Sequence, residues 1–214
     1  MRNGVCVKNN FSLPEFDRDE ILRYAGSRGE TGAELFSLLE ECLQECALDF
    51  TPRVCFRVLE REGFFSLFDS EKKSRLLQTR LMGCKRVLIF AATLGLGIDR
   101  RILKYASVSP ARALLFQAIG AERIESLCDT FCQELMETHG KAASRFSAGY
   151  GDFPLTAQAR FFELLDCECA IGLTLTDSLL MTPTKSVTAV VGLGGEVEKN
   201  GCLACAKEDC KFRK

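Results

Sequence analysis

A long stretch, residues 110–139, constrains the fold more than any other part of the chain. Its apolar residues recur at the spacing of an amphipathic helix. Ser109 precedes the stretch as a helix cap, and Pro110 occupies the first turn, where a missing N–H costs nothing. We therefore expect one long helix here, with a break at Gly120 as the one interruption that the sequence suggests.

Other segments have the composition of strands. Residues 86–92, within "KRVLIFAATLGLG", form a continuous apolar run that predicts a buried strand leading into a glycine loop. The alternation over 53–58, the turn at Gly63 and the apolar residues 64–68 predict two strands joined by a short turn. The β-branched segment "LTLTDSLLMTPTKSVTAVVGLG" predicts extended strands interrupted near Pro183. Helices are predicted near 17–25, 31–48, 70–82 and 156–165, so the fold class is α+β.

Length and charge limit the remaining possibilities. A chain of 214 residues with 47% hydrophobic content predicts one sizeable body, residues 1–196, and a short cysteine-bearing tail, residues 197–214. Its 28 basic and 29 acidic residues form no long block of one sign, which gives no support for a nucleic-acid or anionic-membrane surface. Residues 1–30 lack an apolar core of signal-peptide length, and no apolar run in the chain approaches the length of about 20 residues needed for a membrane span, so we expect a cytoplasmic protein.

Cysteine is abundant, with twelve residues in the chain. In a reducing compartment these should be thiols rather than a disulfide framework. Cys42 and Cys46 fall on one apolar stripe, and Cys128 and Cys132 repeat the four-residue spacing on another. We expect these four to pack as small hydrophobic side chains, the alternative being metal pairs at i and i+4.

The tail "CLACAKEDCKFR" contains a more specific pattern. Cys202, Cys205 and Cys210 form a Cys-x-x-Cys pair followed by a third thiol, a spacing compatible with zinc or an iron–sulfur cluster. Neighbouring basic residues would favour the thiolate form. A closed structural site needs a fourth ligand, which the sequence does not identify. Metal binding, reactive thiols and no special role all remain open for this segment.

Two familiar site types are not supported. Gly95 and Gly97 follow a strand and precede a helix, but Arg100 replaces the third small residue of a dinucleotide-binding loop, and Asp99 would repel a phosphate. A turn that needs positive φ explains the glycines better. The one histidine, His139, stands before Gly140 at the predicted helix end, where capping is the simpler role. The motifs of serine and zinc hydrolases are missing from the sequence.

The connection "RFSAGYGDFP", residues 145–154, carries more chemistry than a turn requires. Arg145 has the bidentate geometry that suits a carboxylate or phosphate, and Tyr150 offers a flat face. The glycines would let a ligand approach the backbone. These are components of a small-molecule site. The alternative is that Arg145 pairs with a surface carboxylate and Tyr150 merely covers the core.

The same segment resembles the signature loop of the activation domain of cobalamin-dependent methionine synthase, in which Arg, a small residue, Gly and Tyr precede a turn that ends in Pro. Downstream, "LTDSLLMTPTKSVTAVVG" is similar to a second segment of that family at a compatible distance. The resemblance covers about 145–191 and, more loosely, "IFAATLG" and the helix through Asp129. It implies a fold of mixed helices around a twisted, largely antiparallel sheet.

The resemblance also implies a function, namely binding of S-adenosylmethionine (AdoMet) and reductive remethylation of cob(II)alamin. Arg145 would hold the methionyl carboxylate and Asp129 the amino group, while Ser147 and Gly149 would offer backbone hydrogen bonds and Tyr150 would line the pocket. Ser147 and Ala148 replace the family's usual Ala-Pro, and the chain after Val191 lacks the family's tyrosine-bearing strand.

No cobalamin-binding motif is present in the sequence, so the resemblance implies a detached activator. Its partners would be a corrinoid-carrying methionine synthase without its own activation domain, and a flavodoxin- or ferredoxin-like electron donor. Two alternatives remain: a metal or redox module based on the tail cysteines, and a protein that keeps the fold but binds no ligand.

Overall fold

The computed structural model describes residues 4–27, 32–68, 74–140 and 142–194. The described part contains a four-stranded antiparallel sheet in the order β1-β2-β3-β6, together with a two-stranded ribbon of β4 and β5. The strands are β1 (Cys6–Lys8), β2 (Arg53–Glu60), β3 (Arg86–Thr93), β4 (Thr174–Leu175), β5 (Met181–Thr182) and β6 (Ser186–Leu193). The helices are α1 (Arg18–Tyr24), α2 (Ala33–Cys46), α3 (Arg61–Leu67), α4 (Arg75–Arg80), α5 (Gly97–Tyr105), α6 (Pro110–His139), α7 (Gln158–Leu165) and α8 (Cys167–Ile171). The predicted α+β class is confirmed.

Strand β3 lies between β2 and β6 and is covered on both faces. Leu88 and Phe90 pack toward the second half of α6, whereas Val87 and Ile89 pack toward α3, α7 and α8. Successive side chains of a strand point to opposite faces, so a strand covered twice needs apolar residues throughout. This explains the uninterrupted apolar run and confirms the predicted buried strand.

A helical layer extends beyond the sheet. Helices α1, α2 and α5 pack with the first half of α6 around a separate apolar cluster. Cys42 and Cys46 are fully buried in that cluster, and Cys128 is fully buried between α6 and the sheet. Cys132 is half-buried beside the same core. The prediction that these cysteines pack as hydrophobic side chains is confirmed.

The predicted hairpin over 53–68 is wrong. Strand β2 continues to Glu60, and the segment that follows it is helix α3 rather than a second strand. Phe64 and Phe68 lie four residues apart and are both fully buried, with their rings stacked at a centroid distance of 4.6 Å. Spacing of i and i+4 places both on one helix face, so burial against the core outweighs the strand propensity of aromatic residues.

Helix α6 runs without the interruption suggested at Gly120. The glycine is buried, and a Cβ built there would lie 2.9 Å from side-chain carbons of Lys185. Gly120 therefore provides a close approach between the helix and the Lys185 side chain rather than a break in the helix.

A buried ion pair joins α6 to the N-terminal segment. Glu122 and Arg123 are 5% and 4% exposed, and their charged atoms lie 3.0 Å apart. Arg123 also donates to the Pro14 carbonyl at 2.7 Å and lies over the Phe16 ring at 3.8 Å from the centroid. Residues 14–16 are therefore fixed against the long helix by one guanidinium group.

The segment between β4 and β6 has the interrupted extended form that the sequence predicted. The peptide bond between Thr182 and Pro183 is cis and lies between β5 and β6. Among the described residues, no helix combines the length and the apolar composition needed to cross a bilayer.

Candidate functional site

The loop that contains Arg145 is attached to the edge of the sheet. The N–H of Phe146 donates to the Val190 carbonyl at 3.0 Å, and the Val190 N–H donates back at 2.9 Å. A second bridge joins Ala142 to Leu193. Residues 142–146 thus follow β6 as a short additional extended segment, which fixes the position of Arg145 relative to α6.

The Arg145 guanidinium contacts two carboxylates of α6. One nitrogen donates to Oδ1 of Asp129 at 2.5 Å, and the other donates to Oε2 of Glu125 at 2.7 Å. The Arg145 side chain is 20% exposed, whereas those of Glu125 and Asp129 are 48% and 71% exposed. The structure therefore brings together the two charged residues that the family resemblance paired, and it adds Glu125.

Glu125 was missed in the sequence reasoning, although its position contains a signal. It precedes Asp129 by four residues on a helix, so both carboxylates share one face. A single arginine can then contact both with its two terminal nitrogens. Arg145 thus pairs with surface carboxylates, as one of the two interpretations of the sequence predicted. This pairing is compatible with the other interpretation, a small-molecule site.

Two α6 thiols lie behind this charged group. Burial raises the pKa of Cys132 above its usual range, although the nearby Arg145 acts in the opposite direction. Burial also raises the pKa of Cys128, again against the influence of Arg145. Both side chains therefore stay neutral thiols at pH 7 and add no charge to the site.

The glycine turn closes on itself. Gly149 has φ of +89°, and its N–H donates to the Phe153 carbonyl at 2.8 Å. The Tyr150 N–H donates to the Ser147 carbonyl at 3.2 Å. The Gly149 N–H is therefore occupied, and only the Gly149 carbonyl is available for a ligand. The Ser147 N–H has no acceptor among the described residues.

Tyr150 stands at the tip of this turn and is 69% exposed. The core below the loop is instead filled by Phe146 and Phe153, which stack with a centroid distance of 5.9 Å. The alternative in which Tyr150 covers the core is therefore wrong. Its ring is free to contact a ligand bound beside the loop.

Asp152 anchors the far end of the loop to α4. Its Oδ1 accepts from the Ser74 hydroxyl at 2.5 Å, and its Oδ2 accepts from the Arg75 N–H at 2.6 Å. The Ser74 hydrogen bond, together with the N–H groups at the start of α4, holds the pKa of Asp152 below its usual range. Asp152 therefore fixes the position of the loop relative to the first turn of α4.

The turn that contains Gly95 and Gly97 has the positive φ that the sequence predicted for it. Gly95 has φ of +79°, and a Cβ built on Gly97 would lie 2.0 Å from the Asp49 carbonyl oxygen. The Asp99 carboxylate accepts from the Thr184 N–H at 2.9 Å. Close packing and positive φ therefore explain these glycines.

The metal-site prediction concerns the cysteines of the C-terminal tail. Cys202, Cys205 and Cys210 lie outside the described residues, as does the whole of the predicted tail, 197–214. Within the described ranges, no group of three or more His, Cys, Asp or Glu side chains is arranged to hold a metal ion. The zinc or iron–sulfur interpretation stays a prediction.

Comparisons with known proteins point to one class of domain. The family model described as "Vitamin B12 dependent methionine synthase, activation domain" matches residues 131–211. That range begins in the second half of α6 and includes the whole Arg145 loop. No curated protein sequence matches the chain.

The fold is similar to that of a particular solved structure, described as "Crystal Structure of the MetH Reactivation Domain bound to AdoHcy". The match has a TM-score of 0.60 and 16% sequence identity, and it covers 94% of this chain and 81% of the other. The chain thus resembles the methionine synthase activation domain in local sequence and shares its fold over nearly its whole length. The resemblance to this domain that the sequence indicated is confirmed.

Proposed function

We propose that this protein binds AdoMet beside the Arg145 loop and supports reductive remethylation of cob(II)alamin on a separate corrinoid protein. The observation that carries the proposal is the contact of Arg145 with Asp129 and Glu125. Arg145 lies inside the segment matched by the activation-domain family model, and the two carboxylates lie on α6 just before that segment. The fold shared with a reactivation domain bound to AdoHcy supports the same ligand class.

The charges at this site suit a zwitterionic ligand. The methionyl end of AdoMet carries a carboxylate and an ammonium group. Its carboxylate would take the bidentate position on Arg145, and its ammonium group would pair with the carboxylates that Arg145 releases, above all the exposed Asp129. The two internal ion pairs of Arg145, with Asp129 and Glu125, are thus exchanged for ion pairs with the ligand. Tyr150, exposed at the loop tip, would contact the sulfonium through its ring face.

The proposed chemistry is a methyl transfer between two proteins. One electron from a flavodoxin- or ferredoxin-like donor reduces cob(II)alamin to cob(I)alamin. The reduced cobalt then takes the methyl group from the AdoMet sulfur, which keeps the bonding electron pair, giving methylcobalamin and S-adenosylhomocysteine. In this proposal the present chain holds the methyl donor, while a methionine synthase lacking its own activation domain supplies the corrinoid.

Calorimetric titration with S-adenosylhomocysteine tests the binding step. Arg145→Ala should weaken binding about 10- to 100-fold, because loss of a charge-assisted hydrogen bond costs about 1.5–3 kcal/mol. Arg160→Ala is the matched control, since Arg160 also forms a surface ion pair, with Glu163 at 2.5 Å, but on α7. Equal affinity of wild type and Arg145→Ala would remove Arg145 from the site.

A spectral assay of cobalamin tests the reaction. The complete mixture contains this protein, AdoMet, a low-potential electron donor and a cob(II)alamin-loaded methionine synthase without an activation domain. Methylcobalamin should form in that mixture and fail to form when any component is omitted, and Tyr150→Ala should slow its formation. Persistence of cob(II)alamin in the full mixture, or its loss without this protein, would contradict the proposed function.

A further inference from the structure

A cavity of about 400 Å³ opens at a part of the fold that the proposed AdoMet site does not use. It lies at the end of the sheet where β2 begins, and its walls include Leu48, Arg53, Leu96, Arg100 and Pro183. Arg145 is on the opposite side of the sheet, beyond β6. The cavity is therefore a separate place at which a ligand could bind.

Two arginines give this cavity its charge. Arg53 is half-buried, and its Nε is a buried donor without an acceptor among the described residues. Gly172 lies beside this guanidinium, because a Cβ built on the glycine would be in ordinary contact with Nη1 of Arg53, at 3.5 Å. A buried donor without an acceptor is uncommon in folded proteins, and a bound anion would supply an acceptor to this guanidinium.

Arg100 is exposed and forms no ion pair or side-chain hydrogen bond within the described ranges. The one carboxylate in the cavity wall, Asp49, is already paired with Arg101 at 2.6 Å. The charges of Arg53 and Arg100 are thus not neutralised by the wall that holds them. The wall presents two uncompensated positive charges to a ligand.

The remaining wall indicates which anion would fit. Leu48 is 96% exposed and Leu96 is 47% exposed, so the cavity has apolar side chains at its opening. A carboxylate carries one negative charge, whereas a phosphate monoester carries about 1.5 to 2 at pH 7 and matches two guanidinium groups. The volume also exceeds that of a phosphate group alone. We propose that the cavity binds a small organic phosphate, with the phosphate on Arg53 and Arg100 and the organic part against Leu48 and Leu96.

Nuclear magnetic resonance titration of the full chain tests this proposal, with the backbone amides of Gly97 and Gly172 as reporters of the cavity wall. The probes are phenyl phosphate, inorganic phosphate and benzoate at constant ionic strength. Phenyl phosphate should give saturating shifts at both glycines and bind more tightly than inorganic phosphate, because its ring can cover the apolar opening. Benzoate should bind more weakly, because it has one charge.

Arg53→Gln and Arg100→Gln should each weaken phenyl phosphate binding about tenfold or more. Arg75→Gln, which removes the same charge from an exposed position on α4, should leave binding unchanged. The exposed position of Arg100 makes its variant informative even if Arg53→Gln impairs folding.

The proposal fails if phenyl phosphate gives no saturating shift up to about 10 mM. It also fails if benzoate binds equally well, or if Arg75→Gln weakens binding as much as Arg100→Gln. A parallel titration with S-adenosylhomocysteine separates the two sites. Shifts confined to residues 147–150, without a response to phenyl phosphate, would overturn the cavity proposal alone. S-adenosylhomocysteine shifts at Gly97 and Gly172 instead would overturn both assignments.

Discussion

Replacement of Arg123 by methionine removes one side of the buried pair with Glu122 while keeping much of the apolar stem. The wild-type guanidinium makes its contacts with Glu122, the Pro14 carbonyl and the Phe16 ring at once. Both charged residues are 5% exposed or less, so the remaining carboxylate would have no water to replace its partner. Breaking such a pair costs about 3–5 kcal/mol, a large part of the usual 5–15 kcal/mol stability of a domain.

The pH dependence of this variant follows from the same contact. Burial already raises the pKa of Glu122, and Arg123 counteracts the rise, so the pKa should be higher still in Arg123→Met. A carboxyl group whose folded pKa is raised destabilises the protein above that pKa and loses this effect when it becomes protonated. The destabilisation should therefore be largest at pH 7 and shrink as the pH falls toward about 4.3, the ordinary glutamate value.

Urea unfolding followed by circular dichroism at pH 7 and pH 5 measures both effects. The double variant Glu122→Gln/Arg123→Met is the control, because it removes the uncompensated charge while retaining an oxygen that can accept from the Asp17 N–H. It should recover part of the lost stability. A loss below about 1 kcal/mol for Arg123→Met at pH 7, the scale of an exposed pair, would refute the reasoning.

Two further expectations concern single side chains. Asp152→Ala should destabilise the protein by about 0.5–2 kcal/mol at pH 7, because it removes the hydrogen bonds that Asp152 accepts from Ser74 and from the first turn of α4. Since the folded pKa of Asp152 is lowered, this contribution is present above the ordinary pKa of about 3.9 and disappears as the pH falls through the folded pKa. Wild type and variant should therefore converge in urea unfolding below about pH 3. Burial raises the pKa of Cys46 to about 12, so a thiol reagent should modify the exposed Cys169 before Cys46. Modification of both cysteines at the same rate in native protein, read by mass spectrometry, would contradict the burial of Cys46.

The sequence was sufficient to predict the elements whose pattern is long or continuous. The periodicity over 110–139 and the apolar run over 86–92 correspond to α6 and β3 almost residue for residue. The segment 64–68 was predicted incorrectly because five residues fit an alternating and a helical pattern equally well. The tertiary contact of Phe68 with Phe161 of α7, which accompanies the stacking of Phe64 on Phe68, decides between them.

The sequence predicted some of the residues of the candidate site, but not the contacts that these residues make with distant parts of the chain. The resemblance singled out Arg145 and Asp129, and the structure places them in contact. The contribution of Glu125 and the capping role of Asp152 depend on which elements meet in space, over 20 and 76 to 78 residues along the chain. Local patterns in one sequence contain no information about such distant contacts.

The attachment of residues 142–146 to β6 has a consequence for solubility. The edge of a sheet presents unpaired N–H and C=O groups that can recruit a strand from another molecule. Here the loop occupies the hydrogen-bonding positions at Val190 and lies against Leu193, and so shields the apolar end of β6 from intermolecular pairing. The segment that positions Arg145 therefore also covers this edge of the sheet, and the loop could not move far from β6 to admit a ligand without exposing the edge.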